Sequence, residues 1–233
     1  MYNTTADSPY SRTLAYWAVG FRALCKGDLH QAIPALGRAL DLAQVAHLGL
    51  GVPWFAAHLG AAYTLAGRTT DAVSLLEQAV EQAMAIHLLL DHALRVVWLS
   101  EVYLLSGRVD EAHTQAQRAL EFARAHQERG HEAYDLHLLG EIAAQRERPE
   151  LEPAETHYGR ALALAGALGM RPLQVHCHCG PGTLYTTQGL PEQTRAELST
   201  AIALYRAMDM TFWMPRAEGV LAHVGAAPAP RAD

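Results

Sequence analysis

Three glycines, Gly27, Gly67 and Gly107, stand 40 residues apart, and each is followed five residues later by an alanine, Ala32, Ala72 and Ala112. Two residue types recurring at one period confine the chain to a tandem repeat, in which each unit buries its apolar face against the next copy. The second repeat supplies the reference order: Leu59, Gly60, Tyr63, Gly67, Ala72, Leu76 and Ala79. The first repeat reads Val19, Gly20, Ala23, Gly27, Ala32, Leu36 and Ala39, and the third Leu99, Ser100, Tyr103, Gly107, Ala112, Ala116 and Ala119. The fourth carries Leu139, Gly140, Ala143, Ala154, Tyr158 and Ala161, with two extra residues in its turn. The fifth is read as Gly182, Tyr185, Gly189, Ala196, Thr200 and Ala203.

Each residue type has a steric reason. Where two helices cross closely, only Gly or Ala leaves room for the neighbouring backbone, and a tyrosine or leucine one turn away fills the wider space beside it. Gly27, Gly67, Gly107 and Gly189 fall where a left-handed residue ends a first helix, and Asp28, Asp71 and Asp110 fall where a second helix begins. A further alanine series, Ala43, Ala83, Ala123, Ala165 and Ala207, lies 11 residues beyond the first alanine of each repeat and extends one small face over three turns.

This order of small and large residues is similar to the tetratricopeptide pattern. The period exceeds the usual ~34 residues and overlaps that of HEAT and armadillo units, but the Gly-x-x-Tyr and Ala-to-Ala spacings favour the tetratricopeptide reading. The extra residues are assigned to longer second helices, ending near His47, His87, Gln127, Leu168 and Met208. The fold expected is all-α: an α-solenoid of five extended tetratricopeptide hairpins of 40 to 42 residues plus a C-terminal capping helix. The boundaries are a lead-in over 1–12, repeats over 13–52, 53–92, 93–132, 133–174 and 175–210, a capping helix over 211–224 and a disordered tail over 225–233.

Composition narrows the function classes. Eighteen basic residues, of which Lys26 is the only lysine, against 24 acidic ones give a net charge of −6, so a nucleic-acid groove is not expected. Three cysteines, Cys25, Cys177 and Cys179, do not make a disulfide framework. No apolar run has membrane-spanning length and Met1–Ser8 lacks the pattern of a secretion signal, so a cytoplasmic protein is expected.

Glu155–Val224 resembles something more specific. His157-Tyr158, Ala161-Leu-Ala-Leu-Ala, Leu168-Gly-Met-Arg-Pro-Leu, His176-Cys-His, Gly182-Thr-Leu-Tyr and Tyr205-Arg-Ala-Met-Asp-Met-Thr-Phe-Trp-Met are similar to the C-terminal region of bacterial signal-transduction ATPases, often joined to class III adenylate or guanylate cyclase domains. The resemblance implies a regulatory array working with an ATPase or cyclase module. The chain itself contains no P-loop Gly-x-x-x-x-Gly-Lys-Ser/Thr. Pro181 departs from the pattern, occupying the place of Val19, Leu59, Leu99 and Leu139, and is expected to kink its helix.

First helices line the concave face in this repeat class, so candidate groove positions can be counted from the crossing residue. They are Trp17 and Phe21 in the first repeat, Trp54 and Ala57 in the second, and Val97 and Glu101 in the third. The fourth supplies Tyr134, His137 and Glu141, and the fifth His176, Cys179 and Thr183. This face runs from apolar to polar and lacks the Lys, Arg and Asn of a carboxylate clamp. Its aromatics either pack against neighbouring repeats or bind a partner. In the run from His176 to Cys179 only its ends share a helical face, and two ligands do not make a metal site. No catalytic constellation, metal or cofactor is expected. The expected function is a non-enzymatic scaffold or regulatory module that takes a protein or peptide in the groove or self-associates. The alternative is a small-ligand sensor of the bacterial transcription-activator type.

Overall fold

The computed structural model describes residues 8–226, and these form eleven helices. They pair in sequence as α1 (Pro9–Lys26) with α2 (Leu29–Val45), α3 (Gly51–Leu65) with α4 (Thr69–Ala85), α5 (His92–Leu105) with α6 (Val109–Ala125), α7 (Arg129–Gln145) with α8 (Leu151–Ala167), and α9 (Arg171–Thr187) with α10 (Pro191–Ala207). A last helix, α11 (Met214–Ala226), packs on the fifth hairpin. Of the expected lead-in over 1–12, residues 1–7 lie outside the described residues and 9–12 already belong to α1; of the expected disordered tail over 225–233, residues 225 and 226 end α11 and the rest lie outside the described residues. The chain divides into two compact units between His126 and Gln127, the first holding three hairpins and the second two hairpins with α11. Each unit is a stack of helical hairpins, the packing of an α-solenoid. Among the described residues none is in a strand, and no helix is long and apolar enough to cross a membrane.

The hairpins close through the residues at their crossings. A Cβ built on Gly60 would lie 2.6 Å from Leu76 Cγ, and the same collision recurs at 2.7 Å between Gly20 and Leu36, at 2.8 Å between Gly140 and Tyr158 and at 2.7 Å between Gly182 and Leu198. Each first helix thus gives up its side chain so that a large residue of its partner can fill the crossing. The third hairpin exchanges the sizes: Ser100 stands where the others have glycine, Ala116 stands where they have a large residue, and Ser100 Oγ donates to the Ala112 carbonyl at 2.8 Å. The alanines Ala32, Ala72, Ala112 and Ala154 and, three turns on, Ala43, Ala83, Ala123 and Ala165 are fully buried.

Left-handed residues punctuate both kinds of turn. Gly27, Gly67, Gly107 and Gly189 have φ of 73°, 72°, 76° and 68° after first helices. After second helices the same conformation falls on His47, His87, Gln127, Gly169 and Asp209, so four of these five turns tolerate a side chain in a region that favours glycine. The two extra residues of the fourth repeat are confined to the turn between α7 and α8, where the Glu150 amide reaches back to the Ala143 carbonyl at 3.0 Å.

Several sequence expectations need correction. In the fifth hairpin the buried positions of the second helix are Thr194, Leu198, Ala201 and Tyr205, whereas Ala196, Thr200, Ala203 and Ala207 are exposed. The alanine series is therefore two residues out of register there, because the extra residues belong to the fourth turn alone. Asp28, Asp71 and Asp110 do lie at the starts of second helices, but only Asp28 caps, accepting from the Gln31 amide at 3.2 Å; Asp71 and Asp110 fall in the first turns of α4 and α6, behind Arg68 and Arg108. Asp71 instead accepts from Arg68 Nε at 2.8 Å, and each arginine lies 3.9 Å from the ring centre of Tyr63 or Tyr103. Hairpins begin at Pro9, Gly51, His92, Arg129 and Arg171, a few residues before the expected boundaries. Pro181 lies inside α9, which runs unbroken from Arg171 to Thr187.

Far-ultraviolet circular dichroism is expected to show a predominantly helical chain; appreciable sheet signal would contradict the hairpin assignment. The crossing is tested by Gly60→Ser, Leu76→Ala and their combination, which copies the third hairpin into the second. Gly60→Ser is expected to lose about 1–3 kcal/mol by overpacking. The double variant should be less destabilised than the sum of the single losses, with a coupling of about 0.5–3 kcal/mol in chemical denaturation. Additive losses would mean that these side chains do not meet.

Candidate functional site

In the first unit the first-helix face is an aromatic platform built around a histidine. Trp17 stacks on Phe21 one turn later in α1, with ring centres 5.4 Å apart and planes within 9°. Trp54 of α3 comes to 4.6 Å from Trp17, and Trp98 of α5 completes the group. His58 sits among them, its ring centre 5.6 Å from Trp17, 5.3 Å from Phe21, 4.9 Å from Trp54 and 4.9 Å from Trp98. The four outer rings remain partly open to solvent, while His58 is buried.

Hydrogen bonds fix the orientation of this group. His58 Nδ1 donates to the Trp54 carbonyl at 2.8 Å, which assigns its tautomer. Trp54 Nε1 donates to Asp91 Oδ2 at 2.8 Å, and Asp91 is itself held in the left-handed region at φ 53°. Trp17 Nε1 has no hydrogen-bond partner. Burial pushes the His58 imidazole down to about 4, against the raising effects of the Trp54 carbonyl and Asp91. It is therefore neutral at physiological pH.

The second unit carries a polar group on the equivalent face. Tyr158 of α8 donates to Glu141 Oε1 at 2.8 Å, and His137, one turn before Glu141 on α7, brings Nε2 to 3.8 Å from the same oxygen. His176 of α9 lies 6.1 Å from His137 between ring centres, its Nδ1 3.0 Å from the Tyr205 hydroxyl. Trp213 stacks beside Tyr205 and meets His176 edge-on at 5.3 Å. Burial lowers both imidazoles, His176 to about 3 with a second push from His137, and raises the Tyr158 and Tyr205 phenols and the Cys179 thiol. Gly180 makes the arrangement possible, because a Cβ there would lie 2.6 Å from Tyr158 Cε1 and 2.8 Å from Glu141 Oε1.

The expected groove residues thus fall into two sets. Trp17, Phe21 and Trp54 come together in the first unit, and His137, Glu141, His176, Cys179 and Thr183 lie on neighbouring helices of the second. Glu101 and Tyr134 are half-buried on α5 and α7. Ala57 and Val97 must be withdrawn: their exposures are 0% and 1%, so they fill the core and offer no surface to a partner. The aromatic platform runs through the next residues instead, the buried His58 and the partly open Trp98, which stand 40 residues apart. Neither the Trp54–Asp91 bond nor the Tyr158–Glu141 bond has a signature in sequence spacing. The run from His176 diverges, with Cys177 buried and His178 Nδ1 paired with Glu197 at 2.6 Å. Among the described residues no group of three or more His, Cys, Asp or Glu side chains has a geometry that could hold a metal.

His58 and His176 have folded values below the ordinary 6.5, so the fold holds their neutral forms. The stability they contribute is complete above about pH 6.5 and is lost as the pH falls toward 4 for His58 and 3 for His176. Thermal melting from pH 7.5 to 4 should therefore fall less steeply in His58→Gln and His176→Gln than in the wild type. Identical slopes would mean that neither ring is desolvated.

No family model matches this chain, and no curated protein does. Solved structures do match. BtubC (BKLC) from P. vanneervenii aligns with a TM-score of 0.57 at 19% identity, over 88% of this chain and 96% of that one. A putative kinesin light chain of Podosopora anserina with nearly identical TPR-like repeats aligns at 0.57 and 17%, over 87% and 98%. The Rap conjugation gene regulator of the plasmid pLS20, solved in complex with the Phr* peptide, aligns at 0.64 and 12%, over 92% of this chain but only 63% of the regulator. At these identities the likeness is one of fold, and the fold is a tetratricopeptide-like array of helical hairpins.

Proposed function

We propose that this chain is a binding module that acts through the first-helix face of its hairpins, with a protein or peptide segment as its partner. The observation that supports this reading most is the platform of Trp17, Phe21, Trp54 and Trp98 around His58. Four large rings lie on three consecutive first helices, partly open to solvent and held by hydrogen bonds through Trp54. Preorganised aromatics lose little side-chain entropy on binding, and such rings carry a large share of the energy at protein interfaces. A partner with apolar or aromatic side chains would gain most from them. The Rap regulator with its bound Phr* peptide is a fold neighbour in which a peptide is held, and this is consistent with the reading.

The resemblance of Glu155–Val224 to the ends of signalling ATPases and cyclases supports a finer proposal, that the module passes a binding signal to an ATPase or cyclase module. A cytoplasmic setting fits the three free cysteines. The second reading, a small-ligand sensor, is favoured by the convergent polar group around Glu141 in the second unit.

Peptides selected from a random library against the whole chain provide the test. Selected sequences should be rich in apolar side chains, and Trp54→Ala and Trp98→Ala should each weaken them by about tenfold or more, the loss of a hot-spot residue, with melting largely retained. No selection above background, or binding indifferent to both variants, would remove the platform from the function.

A further inference from the structure

Glu141 is a carboxylate in a setting that lacks its electrical complement. Its side chain is three-quarters buried, and its contacts are the Tyr158 hydroxyl at 2.8 Å, the Gln145 amide at 3.4 Å and His137 Nε2 at 3.8 Å. None of these is a lysine or an arginine, and burial depresses His137 so that it stands neutral beside the carboxylate. Arg216 and Glu141 act with opposite sign on Cys179 and Tyr205, and Arg216 is not among the direct contacts of the carboxylate. A buried carboxylate held only by neutral donors is costly to the folded chain, and a cation is what offsets that cost.

The surroundings suit one kind of cation. Gly180, by lacking a side chain, leaves the Tyr158–Glu141 bond in place. His137 Nε2 has no hydrogen-bond partner of its own, so in its neutral Nδ1–H form it is a second acceptor beside the carboxylate. The Tyr158 and His176 rings lie 5.8 Å and 6.1 Å from the His137 ring between centres and wall the group with aromatic surface. An ammonium group has three donors and one charge, which matches a carboxylate, an imidazole acceptor and an aromatic wall.

We propose that Glu141, with His137, Tyr158 and His176, forms a binding site for a protonated primary amine on the first-helix face of the fourth and fifth hairpins. Two sources share this chemistry, a small free amine and the terminal amine of a peptide chain. The residues are distinct from those of the aromatic platform, so either site can fail without the other.

The indole N–H signals of Trp17, Trp54, Trp98 and Trp213 in the whole chain, labelled with 15N and assigned by substitution, report each site separately. The probes are n-butylammonium chloride, n-butanol, alanyl-alanine amide and its N-acetylated form. Saturable shifts of the Trp213 signal are expected with the two ammonium probes and not with n-butanol or the acetylated dipeptide. Glu141→Gln should weaken the ammonium probes by at least about tenfold, because the amide oxygen still accepts from Tyr158 but the charge is gone. Tighter binding of the dipeptide amide assigns the site to a chain terminus, and tighter binding of n-butylammonium assigns it to a small amine. No saturable shift with either ammonium probe, or equal binding by Glu141→Gln, would overturn the proposal. If Glu141→Gln does not fold, the wild type's discrimination between n-butylammonium and n-butanol still decides.

Discussion

The structure depends on one steric exchange, repeated at each hairpin: one helix gives up its side chain at the crossing and its partner supplies a large one. Gly20 with Leu36, Gly60 with Leu76, Gly140 with Tyr158 and Gly182 with Leu198 are versions of the same contact, and the third hairpin replaces it by Ser100, which donates to the Ala112 carbonyl, with Ala116 at the place of the large residue. Close approach at this point brings the alanine faces of the second helices into the core, and it fixes which side of each first helix is left for other work. At the fourth hairpin the large residue is Tyr158, so the contact that closes the hairpin also delivers a hydroxyl to Glu141. Structure and site are joined there in one side chain.

The fold was legible because glycine and alanine at a crossing have no substitutes, so the period is written in residue types that packing enforces. The site was less legible. Exposure along a helix turns over within a single residue: Ala57 and Val97, counted onto the surface, fill the core, and the next positions hold the partly open Trp98 and the buried His58 that packs beneath the rings. The fifth hairpin shows a second limit. A two-residue insertion displaces every later position, and alanines at Ala196 and Ala203 suggested a register that the burial of Thr194 and Leu198 contradicts. Contacts between repeats, such as Trp54 Nε1 with Asp91, join residues 37 apart and have no pattern to find.

Both units place neutral, desolvated histidines on the first-helix face, but with different neighbours. His58 lies among four aromatic rings and meets each of them edge-on. His137 and His176 lie between a carboxylate and two phenols, where an imidazole can accept or donate. The same burial that lowers their proton affinity also keeps positive charge away from Glu141. One scaffold thereby presents an apolar surface in its first unit and a hydrogen-bonding one in its second.

Binding on the first-helix face would cover the tryptophans that lie there. Hydroxyl-radical footprinting read by mass spectrometry measures it directly, since each tryptophan is oxidised according to its exposure. With a selected peptide bound, Trp17, Trp54 and Trp98 should be protected while exposed residues of the turns, such as Leu50 and Leu89, are oxidised as before. Protection of the turn residues with the three tryptophans unchanged would place binding away from the first-helix face.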